Sequence, residues 1–444
     1  MLRKTPSTIL VIIGITGDLA KRKLLPAIAQ MQQAEALPQD FTIVGISRRQ
    51  VSAAEVVIST PNLQDSDRAF LAECLHMHTM DIADEQSYAQ LKAFLASLST
   101  NSATQIVFYL SVPPQVSRPI IAALGRAGFG KDPQVKLLLE KPFGSDLTSA
   151  QELIAETRQY FNESQLYRID HFLAKEMAQN IVVFRSQNSL FRQTWNNQHI
   201  ESIEIIASEQ IGIEDRAAFY EQTGALRDVI QNHLLQLAAL TLMKIPSSTQ
   251  DIAKQRLAAL RQLLPPNGNQ LDMLVHRGQY EGYTTEVNNT KTSTETFVDI
   301  TLHSADPQWQ GVPIRLITGK ALATKETVVR LHYKRQQAGE SNMLSLRIQP
   351  DEGIEMRLWA KKPGYQHRLE QLPLRFTYQE HYNSLPEAYE RVLVDAINGD
   401  HSLFASSEEV LEAWRIVAPI QHYWSMQISD LAIYPKGMQA KQDA

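Results

Sequence analysis

An acid, an imidazole and an ammonium group lie close together in the stretch Arg168 to Asn180, at Asp170, His171 and Lys175. If a helix begins near Asp170, His171 and Lys175 are four positions apart and share one face. The free amides of a helix N-terminus favour anions, so this face could seat a phosphate group. The alternative is an ordinary charged helix start, and the pattern alone favours that alternative.

A second candidate for chemistry is His233, which lies in a helical pattern running from Thr223 to Met243. Val229, Ile230 and Leu237 are its same-face neighbours, so we expect it to be buried. On spacing alone, a hydrogen-bonded core histidine is the favoured interpretation. A histidine pKa near 6.5 also suits a general base, whose tautomer a carboxylate such as Asp170 could set.

The elements that would position these groups begin with the apolar run Ile9 to Ile13, which predicts a parallel strand covered on both faces. The segment Gly14 to Ala20 follows, and a helical pattern then reaches about Ala36. A strand, a glycine turn and a helix in this order predict a dinucleotide site, where backbone approaches a pyrophosphate at the helix N-terminus. A plain tight turn is the alternative.

The second predicted strand, Phe41 to Ile46, ends in Ser47, Arg48 and Arg49. NAD-binding folds usually place an acid here for the ribose 2′-hydroxyl, whereas arginine suits a 2′-phosphate. Arg48 therefore favours NADP, unless both arginines are only solvated surface residues.

Two further apolar strands, Gln105 to Leu110 and Val135 to Leu139, end next to Ser111 and near Lys141. Ligands of open α/β sheets bind beyond the carboxyl ends of the strands, so both side chains are expected near the glycine turn. Lys141 precedes a proline, which restricts its backbone. A surface lysine on a turn is the alternative.

The fold class predicted is α/β followed by α+β. After a short strand at Leu166 to Ile169, segments past Ile181 such as Val298 to Leu302 alternate apolar and polar residues, which indicates antiparallel strands. We predict a Rossmann-like dinucleotide-binding domain at residues 1–170 and a larger domain at 171–444. Further helices are predicted at about 250–264 and 387–424, with a polar, frayed tail at 438–444.

Composition excludes several classes of protein. The 444 residues carry 43 basic and 48 acidic side chains without blocks of like charge, which argues against binding nucleic acid or anionic membranes. The apolar run at Ile9 is too short for a signal peptide, and no segment has the roughly 18 apolar residues of a membrane span. Cys74 is the single cysteine, which excludes an internal disulfide and fits a cytoplasmic protein.

Several motifs, in order along nearly the whole chain, resemble those of the glucose-6-phosphate dehydrogenase family. The longer ones are Gly14 to Lys23, Glu140 to Gly144, Arg168 to Glu176 and Arg227 to His233. The shorter ones are Gly319 to Leu322, Arg347 to Pro350, Lys361 to Gly364 and Glu412 to Arg415.

The resemblance implies oxidation of the C1 hydroxyl of glucose 6-phosphate to 6-phosphogluconolactone, the first step of the oxidative pentose phosphate pathway. Hydride passes to NADP, with NAD as a weaker alternative, and no metal is needed. The substrate is thus a small sugar phosphate, and the protein is expected to form a homodimer or homotetramer.

The resemblance also implies residue roles. His233 is similar to the base, Asp170 to its orienting carboxylate, and Lys141 to a lysine that bridges substrate and cofactor in a cis Lys-Pro peptide. The substrate-binding residues implied are His171, Lys175, Lys141, Glu209, Asp228, Lys320 and Lys325. The cofactor-binding residues predicted are Gly14, Thr16, Gly17, Asp18, Leu19, Arg48, Ser111 and Lys141.

One departure concerns Phe172, where the family usually has tyrosine. A lost hydrogen bond to phosphate is worth about 1–3 kcal/mol, so weaker phosphate binding is expected. Two alternatives stay open: a related dehydrogenase of another sugar phosphate, and a catalytically inactive NADP-binding protein.

Overall fold

The computed structural model describes residues 6–99, 103–335, 341–426 and 431–440, and the chain forms two compact units. The first unit comprises Met1–Gly144, Thr148–Ala174 and Pro386–Ser407. The second comprises Ser145–Leu147, Lys175–Leu385 and Glu408–Ala444. The predicted division at residue 170 treats each domain as one continuous segment, whereas the first unit here also takes Pro386–Ser407 from late in the chain.

The secondary-structure elements of the described residues follow in chain order. The strands are β1 (Thr8–Ile13), β2 (Phe41–Ser47), β3 (Leu75–Thr79), β4 (Gln105–Leu110), β5 (Val135–Leu139), β6 (Leu166–Ile169), β7 (Ile200–Ser208), β8 (Leu263–Leu264), β9 (Val275–Tyr280), β10 (Phe297–Ser304), β11 (Ile314–Gly319), β12 (Glu326–Tyr333), β13 (Met343–Gln349), β14 (Gly353–Lys361), β15 (Leu369–Thr377), β16 (Phe404–Ala405) and β17 (Leu431–Tyr434). The α-helices are α1 (Leu25–Gln33), α2 (Ala53–Ile58), α3 (Asp65–Cys74), α4 (Glu85–Leu98), α5 (Pro114–Arg126), α6 (Leu147–Arg158), α7 (Glu176–Gln187), α8 (Ser189–Thr194), α9 (Ala217–Ala225), α10 (Leu235–Leu242), α11 (Ile252–Gln262), α12 (Leu271–Leu274), α13 (Tyr283–Glu286), α14 (Ala388–Asn398) and α15 (Ser407–Met426). Two π-helical stretches, Ala20–Leu24 and Leu226–Leu234, lead into α1 and α10.

The first unit is built on a sheet with the strand order β16-β6-β5-β4-β1-β2-β3. All its pairs are parallel except that of β16 with β6, and β3 to β6 give the 3-2-1-4-5-6 order of doubly wound dinucleotide-binding domains. Strand β1 is buried throughout: Leu10 and Ile12 join the core on one face, and Val11 and Ile13 join the core on the other. The predicted double-sided burial is confirmed.

The second unit is built on a sheet with the order β15-β14-β13-β12-β7-β11-β10-β9-β17, to which β8 adds by pairing with β10. Its pairs are antiparallel except β7 with β11 and β9 with β17. The alternating segment at Val298, Ile300 and Leu302 buries these three side chains. The predicted α/β plus α+β fold class is therefore confirmed.

The predicted helix start near Asp170 is wrong. The Asp170 carboxylate Oδ1 accepts the backbone N–H of Phe172 at 2.9 Å, and the Asp170 carbonyl accepts that of Leu173 at 3.1 Å. These bonds close a turn instead, and α7 begins only at Glu176. His171 and Lys175 consequently do not share a helix face.

Two other predicted helices differ from the observed ones. The pattern from Thr223 to Met243 is interrupted at Gly224, which has φ 67° and kinks the end of α9 just before the π-helical stretch. The pattern at 387–424 divides into α14 in the first unit and α15.

The tail predicted at 438–444 is only partly described: Met438 pairs with Leu322, and residues 441–444 lie outside the described ranges. Every helix within the described ranges is too short or too polar to cross a bilayer.

Candidate active site

The glycine turn lies where β1 and β4 end side by side. Gly17 donates its N–H to the carbonyl of Gly14 at 2.9 Å, and Gly14 has φ 92°. A Cβ on Gly14 would lie 2.3 Å from the backbone oxygen of Ser111. Glycine is required here both for its backbone conformation and for its lack of a side chain.

A cavity of about 300 Å³ opens at this edge of the first unit. Its lining is Ile13, Gly14, Thr16, Gly17, Ile46, Ser47, Arg48, Ile82, Ser111, Val112, Pro113 and Val116. The buried Ser111 Oγ has no hydrogen-bond partner among the described residues. Buried hydroxyls are normally satisfied, so an orphaned one that faces a cavity suits a polar ligand such as a dinucleotide.

Three predicted cofactor-binding residues do not line this cavity: Asp18, Leu19 and Lys141. Asp18 pairs with Arg22 at 2.7 Å on the surface, and Leu19 packs against the core of the first unit. Lys141 follows β5 and forms a cis peptide with Pro142, as the resemblance implies.

Lys141 shares its electrostatic surroundings with two carboxyl groups of the first unit. Burial raises the pKa of Glu140, and the nearby Asp170 carboxylate raises it further. Two effects oppose this rise: the hydrogen bond that Glu140 accepts from Tyr109 Oη at 2.5 Å, and the charge of the Lys141 ammonium. The charges of Lys141 and Asp170 therefore both act on Glu140.

The turn after β6 presents Asp170 and His171. Asp170 is buried at 4% exposure, with one carboxylate oxygen held by the turn itself. The His171 ring meets the edge of the Phe172 ring at 5.2 Å between centroids, and Phe172 is itself buried. The turn thus fixes the direction of both side chains without a helix.

Lys175 immediately precedes α7 and begins the second unit's long segment. Its Nζ lies 4.0 Å from Glu352 Oε1, and Glu352 also accepts the N–H of Met177 at 2.8 Å. Burial raises the pKa of Glu352, against the opposing effects of that N–H and of Lys175. The amide end of α7 is thus already an anion-holding position, with a lysine beside it.

His233 and Asp228 lie on the π-helical stretch Leu226–Leu234. Its first residue donates its N–H to Glu295 Oε1 at 2.9 Å, and a Cβ on Gly224 would lie 2.4 Å from that same oxygen. His233 is buried at 3% exposure, as predicted. Such π-helical turns occur frequently at functional sites, and here a buried acid from β10's leading segment sets its start.

Three predicted sugar-binding residues gather in the second unit. Lys320 Nζ lies 2.9 Å from Glu209 Oε2, and the Lys320 side chain is 3% exposed. Burial raises the pKa of the Tyr220 phenol, and the carboxylates of Asp228 and Glu209 both add to this rise. Lys320 Nζ also lies 5.1 Å from the centroid of the Tyr220 ring, so Asp228, Glu209 and Lys320 all act on one tyrosine. Lys325 stands apart, exposed just before β12.

The residues that sequence reasoning missed are mostly supporting ones. Ile82 and Val116 line the cavity from the segments after β3 and β4, and a position beyond a parallel strand's carboxyl end is the signal that could have found them. Glu295 and Tyr220 carried no local signal, because their contacts are to residues distant in sequence.

Comparison with known proteins gives matches over nearly all of the chain. The family model of the glucose-6-phosphate dehydrogenase NAD binding domain matches residues 11–180, and that of the C-terminal domain matches residues 182–444. Glucose-6-phosphate 1-dehydrogenase of Treponema pallidum (strain Nichols) is 37% identical over 469 residues, which cover 97% of this chain and 91% of that relative.

Solved structures agree with these matches. A glucose-6-phosphate dehydrogenase in complex with its substrate glucose-6-phosphate superposes with a TM-score of 0.92 at 29% identity, covering 100% of this chain and 97% of that one. Glucose-6-phosphate 1-dehydrogenase from Mycobacterium avium gives a TM-score of 0.85 at 31% identity, with 98% and 95% coverage. With both domain models matched and more than 30% identity along almost its whole length, the chain belongs to the glucose-6-phosphate dehydrogenase family.

Proposed function

We propose that this protein oxidises the C1 hydroxyl of glucose 6-phosphate to 6-phosphogluconolactone, with hydride transfer to NADP, as the first step of the oxidative pentose phosphate pathway. The observation that carries the proposal is the end-to-end match to a solved relative bound to that sugar phosphate. The cavity beside the glycine turn, with its orphaned Ser111 hydroxyl, supports the dinucleotide part.

In the proposed reaction, His233 removes the proton of the C1 hydroxyl while the C1 hydride leaves. A nicotinamide, when bound, supplies the hydride acceptor. Removing the proton makes the carbon a better hydride donor, so a positioned imidazole contributes about 10²- to 10⁴-fold. Asp170 is assigned to orient this imidazole, an assignment that rests on the resemblance.

The substrate phosphate is assigned to His171 and Lys175. Lys175 stands at the amide end of α7, where Glu352 already accepts the N–H of Met177, and this placement supports a phosphate contact. Lys141 is assigned to both substrate and cofactor. Contacts with the sugar hydroxyls or the phosphate are assigned to Glu209, Asp228, Lys320 and Lys325.

We propose NADP as the preferred cofactor over NAD. Arg48 lines the cavity together with Thr16, and its exposed guanidinium suits a 2′-phosphate. The cofactor-binding set proposed is Gly14, Thr16, Gly17, Asp18, Leu19, Arg48, Ser111 and Lys141. Arrangement as a homodimer or homotetramer is proposed as well.

A second candidate is a dehydrogenase of another sugar phosphate, which Phe172 favours. Because Phe172 is buried and lacks a hydroxyl, it offers the phosphate no hydrogen bond.

A substrate panel tests the proposal. Reduced-nicotinamide absorbance is followed with glucose 6-phosphate, other hexose phosphates and free glucose. We expect the highest kcat/KM with glucose 6-phosphate. Equal turnover of free glucose would refute the phosphate seat, a preference for another hexose phosphate would favour the second candidate, and nucleotide binding without turnover of any sugar would indicate an inactive binding protein.

A further inference from the structure

Lys320 is a buried cation whose backbone is held on both sides. Its N–H donates to the Thr296 carbonyl at 2.9 Å, and its carbonyl accepts the hydroxyl of Tyr434 at 2.8 Å. These two hydrogen bonds fix the position of the Lys320 backbone from which the side chain extends. A buried ammonium needs compensation for lost hydration, and the partially exposed carboxylate of Glu209, 2.9 Å from Nζ, supplies one side of it.

An aromatic ring also contacts the Lys320 ammonium. Nζ lies 5.1 Å from the centroid of the Tyr220 ring, within the range of a cation–π contact. Tyr220 lies on α9 and is 1% exposed, with its ring packed edge-on against that of Tyr283 at 6.3 Å.

Tyr220 also lies near the acids assigned to the sugar. The carboxylates of Asp228, Glu295 and Glu209 each add to the rise in the pKa of its phenol that burial causes. The Tyr220 ring thus contacts the Lys320 ammonium in acidic surroundings. Tyr220 is the shared neighbour of Lys320, Glu209 and Asp228.

We propose that Tyr220 is a positioning residue for sugar binding, because its ring face holds the Lys320 ammonium beside Glu209 in the orientation that binds the substrate. This inference rests on the proposed function and extends it to a residue that touches neither cofactor nor the reacting atoms. Without the ring, Lys320 retains its charge but loses one wall of its pocket. The effect should fall on affinity for the sugar phosphate rather than on the chemical step.

The test uses the full chain with a graded series at one position. Tyr220→Phe keeps the ring, and replacement of that phenylalanine by mono-, di- and trifluorinated phenylalanine keeps its shape while weakening the negative ring face. Tyr220→Leu removes the ring. Tyr283→Leu is the matched control, since it removes a buried ring of the same cluster.

We expect Tyr220→Phe to bind glucose 6-phosphate almost as the wild type does. KM for the sugar should rise stepwise with fluorination and by about 5- to 30-fold in Tyr220→Leu, the range that a desolvated cation–π contact supports. The values of kcat and of KM for NADP should stay within about threefold. Tyr283→Leu should lower the melting temperature without raising KM for the sugar.

A KM that is equal across the fluorinated series and Tyr220→Phe would overturn the inference, as would a loss confined to kcat. The fluorinated variants keep the test valid even if Tyr220→Leu does not fold. Wild-type protein that fails to oxidise glucose 6-phosphate would overturn the proposed function and the inference together, whereas wild-type turnover with an unresponsive series would overturn the inference alone.

Discussion

His233 combines burial with a place on a π-helical turn, where the backbone bulges and aims side chains differently from an α-helix. That placement favours the proposed catalytic role over that of a core histidine. The helical spacing of apolar residues around His233 could not distinguish a catalytic histidine from a core histidine, because both are expected to be buried.

We expect His233→Asn to lower kcat by about 10²- to 10⁴-fold, since asparagine cannot take up the hydroxyl proton. KM for glucose 6-phosphate should change little. Steady-state kinetics at saturating NADP measure both quantities. His199→Asn is the control, as His199 is an exposed histidine of the same unit. Near-normal turnover in His233→Asn would remove it as the base.

Arg48 is the charged residue of the cofactor cavity. Arg48→Ala should raise KM for NADP by at least about tenfold and leave that for NAD nearly unchanged, because only NADP carries the 2′-phosphate that arginine would bind. The neighbouring Arg49→Ala serves as control. Equal effects on both cofactors would contradict recognition of the 2′-phosphate.

At the scale of elements, the approach of the glycine turn to the end of β4 decides whether a dinucleotide fits. Gly14→Ala places a Cβ 2.3 Å from the Ser111 oxygen and strains a backbone at φ 92°. We expect it to abolish detectable dinucleotide binding in a fluorescence titration. Gly282→Ala is a matched control with the same φ and open space around its Cβ, so it isolates backbone strain from the clash. Retained binding in Gly14→Ala would contradict the proposed site.

The late segment Pro386–Ser407 is tied into the first unit through Glu163. Glu163 accepts the N–H of Ser407 at 2.7 Å and Arg168 Nη1 at 2.8 Å. Burial acts to raise the pKa of Glu163, but Arg168 and Ser407 outweigh it, so the pKa falls below its usual value. A carboxyl whose pKa is lowered by folding stabilises the protein above its unfolded pKa of about 4.5.

Glu163→Gln should therefore lower the melting temperature by about 2–4 °C at neutral pH. The difference from wild type should shrink as the pH falls through the folded pKa, because the wild-type carboxylate becomes protonated there. Thermal unfolding between pH 3 and 7 measures this. Glu152→Gln, an exposed acid on α6, is the control. A melting-temperature difference that grows as the pH falls would contradict stabilisation by the charged form of Glu163.

Elements with a strong local pattern were predictable and those defined by distant partners were not. The bounds of β4, β5 and β6 agree with their apolar runs. Strand β3, with the sequence Leu-His-Met-His-Thr, is a half-exposed edge strand and carries no such run. The π-helical start depends on Glu295, 69 residues beyond Leu226, and no local pattern encodes that bond.

The candidate site divides in the same way. Motif residues such as His171, Lys175 and Lys320 could be identified from the sequence through the family resemblance. The turn that presents His171 could not, because a charged helix start and an aspartate-closed turn share the same residue types. Tyr220 contacts Lys320, a hundred residues later in the chain, and only the fold brings the two together.

At the scale of the whole molecule, the outer strands β14 and β15 expose large apolar side chains. Leu369 and Leu374 are 62% and 64% exposed, and Trp359 is 41% exposed. Large apolar side chains exposed on the outer strands of a sheet commonly mark association. We predict that light scattering after size-exclusion chromatography gives two or four copies of the 50.1 kDa chain. A monomer at micromolar concentration would contradict that prediction.

Hydride transfer from C1 of glucose 6-phosphate to NADP can be followed by deuterium labelling at that carbon. The protein is incubated with NADP and glucose 6-phosphate carrying deuterium at C1, and the reduced nicotinamide is analysed by mass spectrometry. We predict one deuterium in each reduced cofactor and a slower rate than with unlabelled substrate if hydride transfer limits turnover. Reduced cofactor without deuterium, or no reduction at all, would contradict hydride transfer from C1.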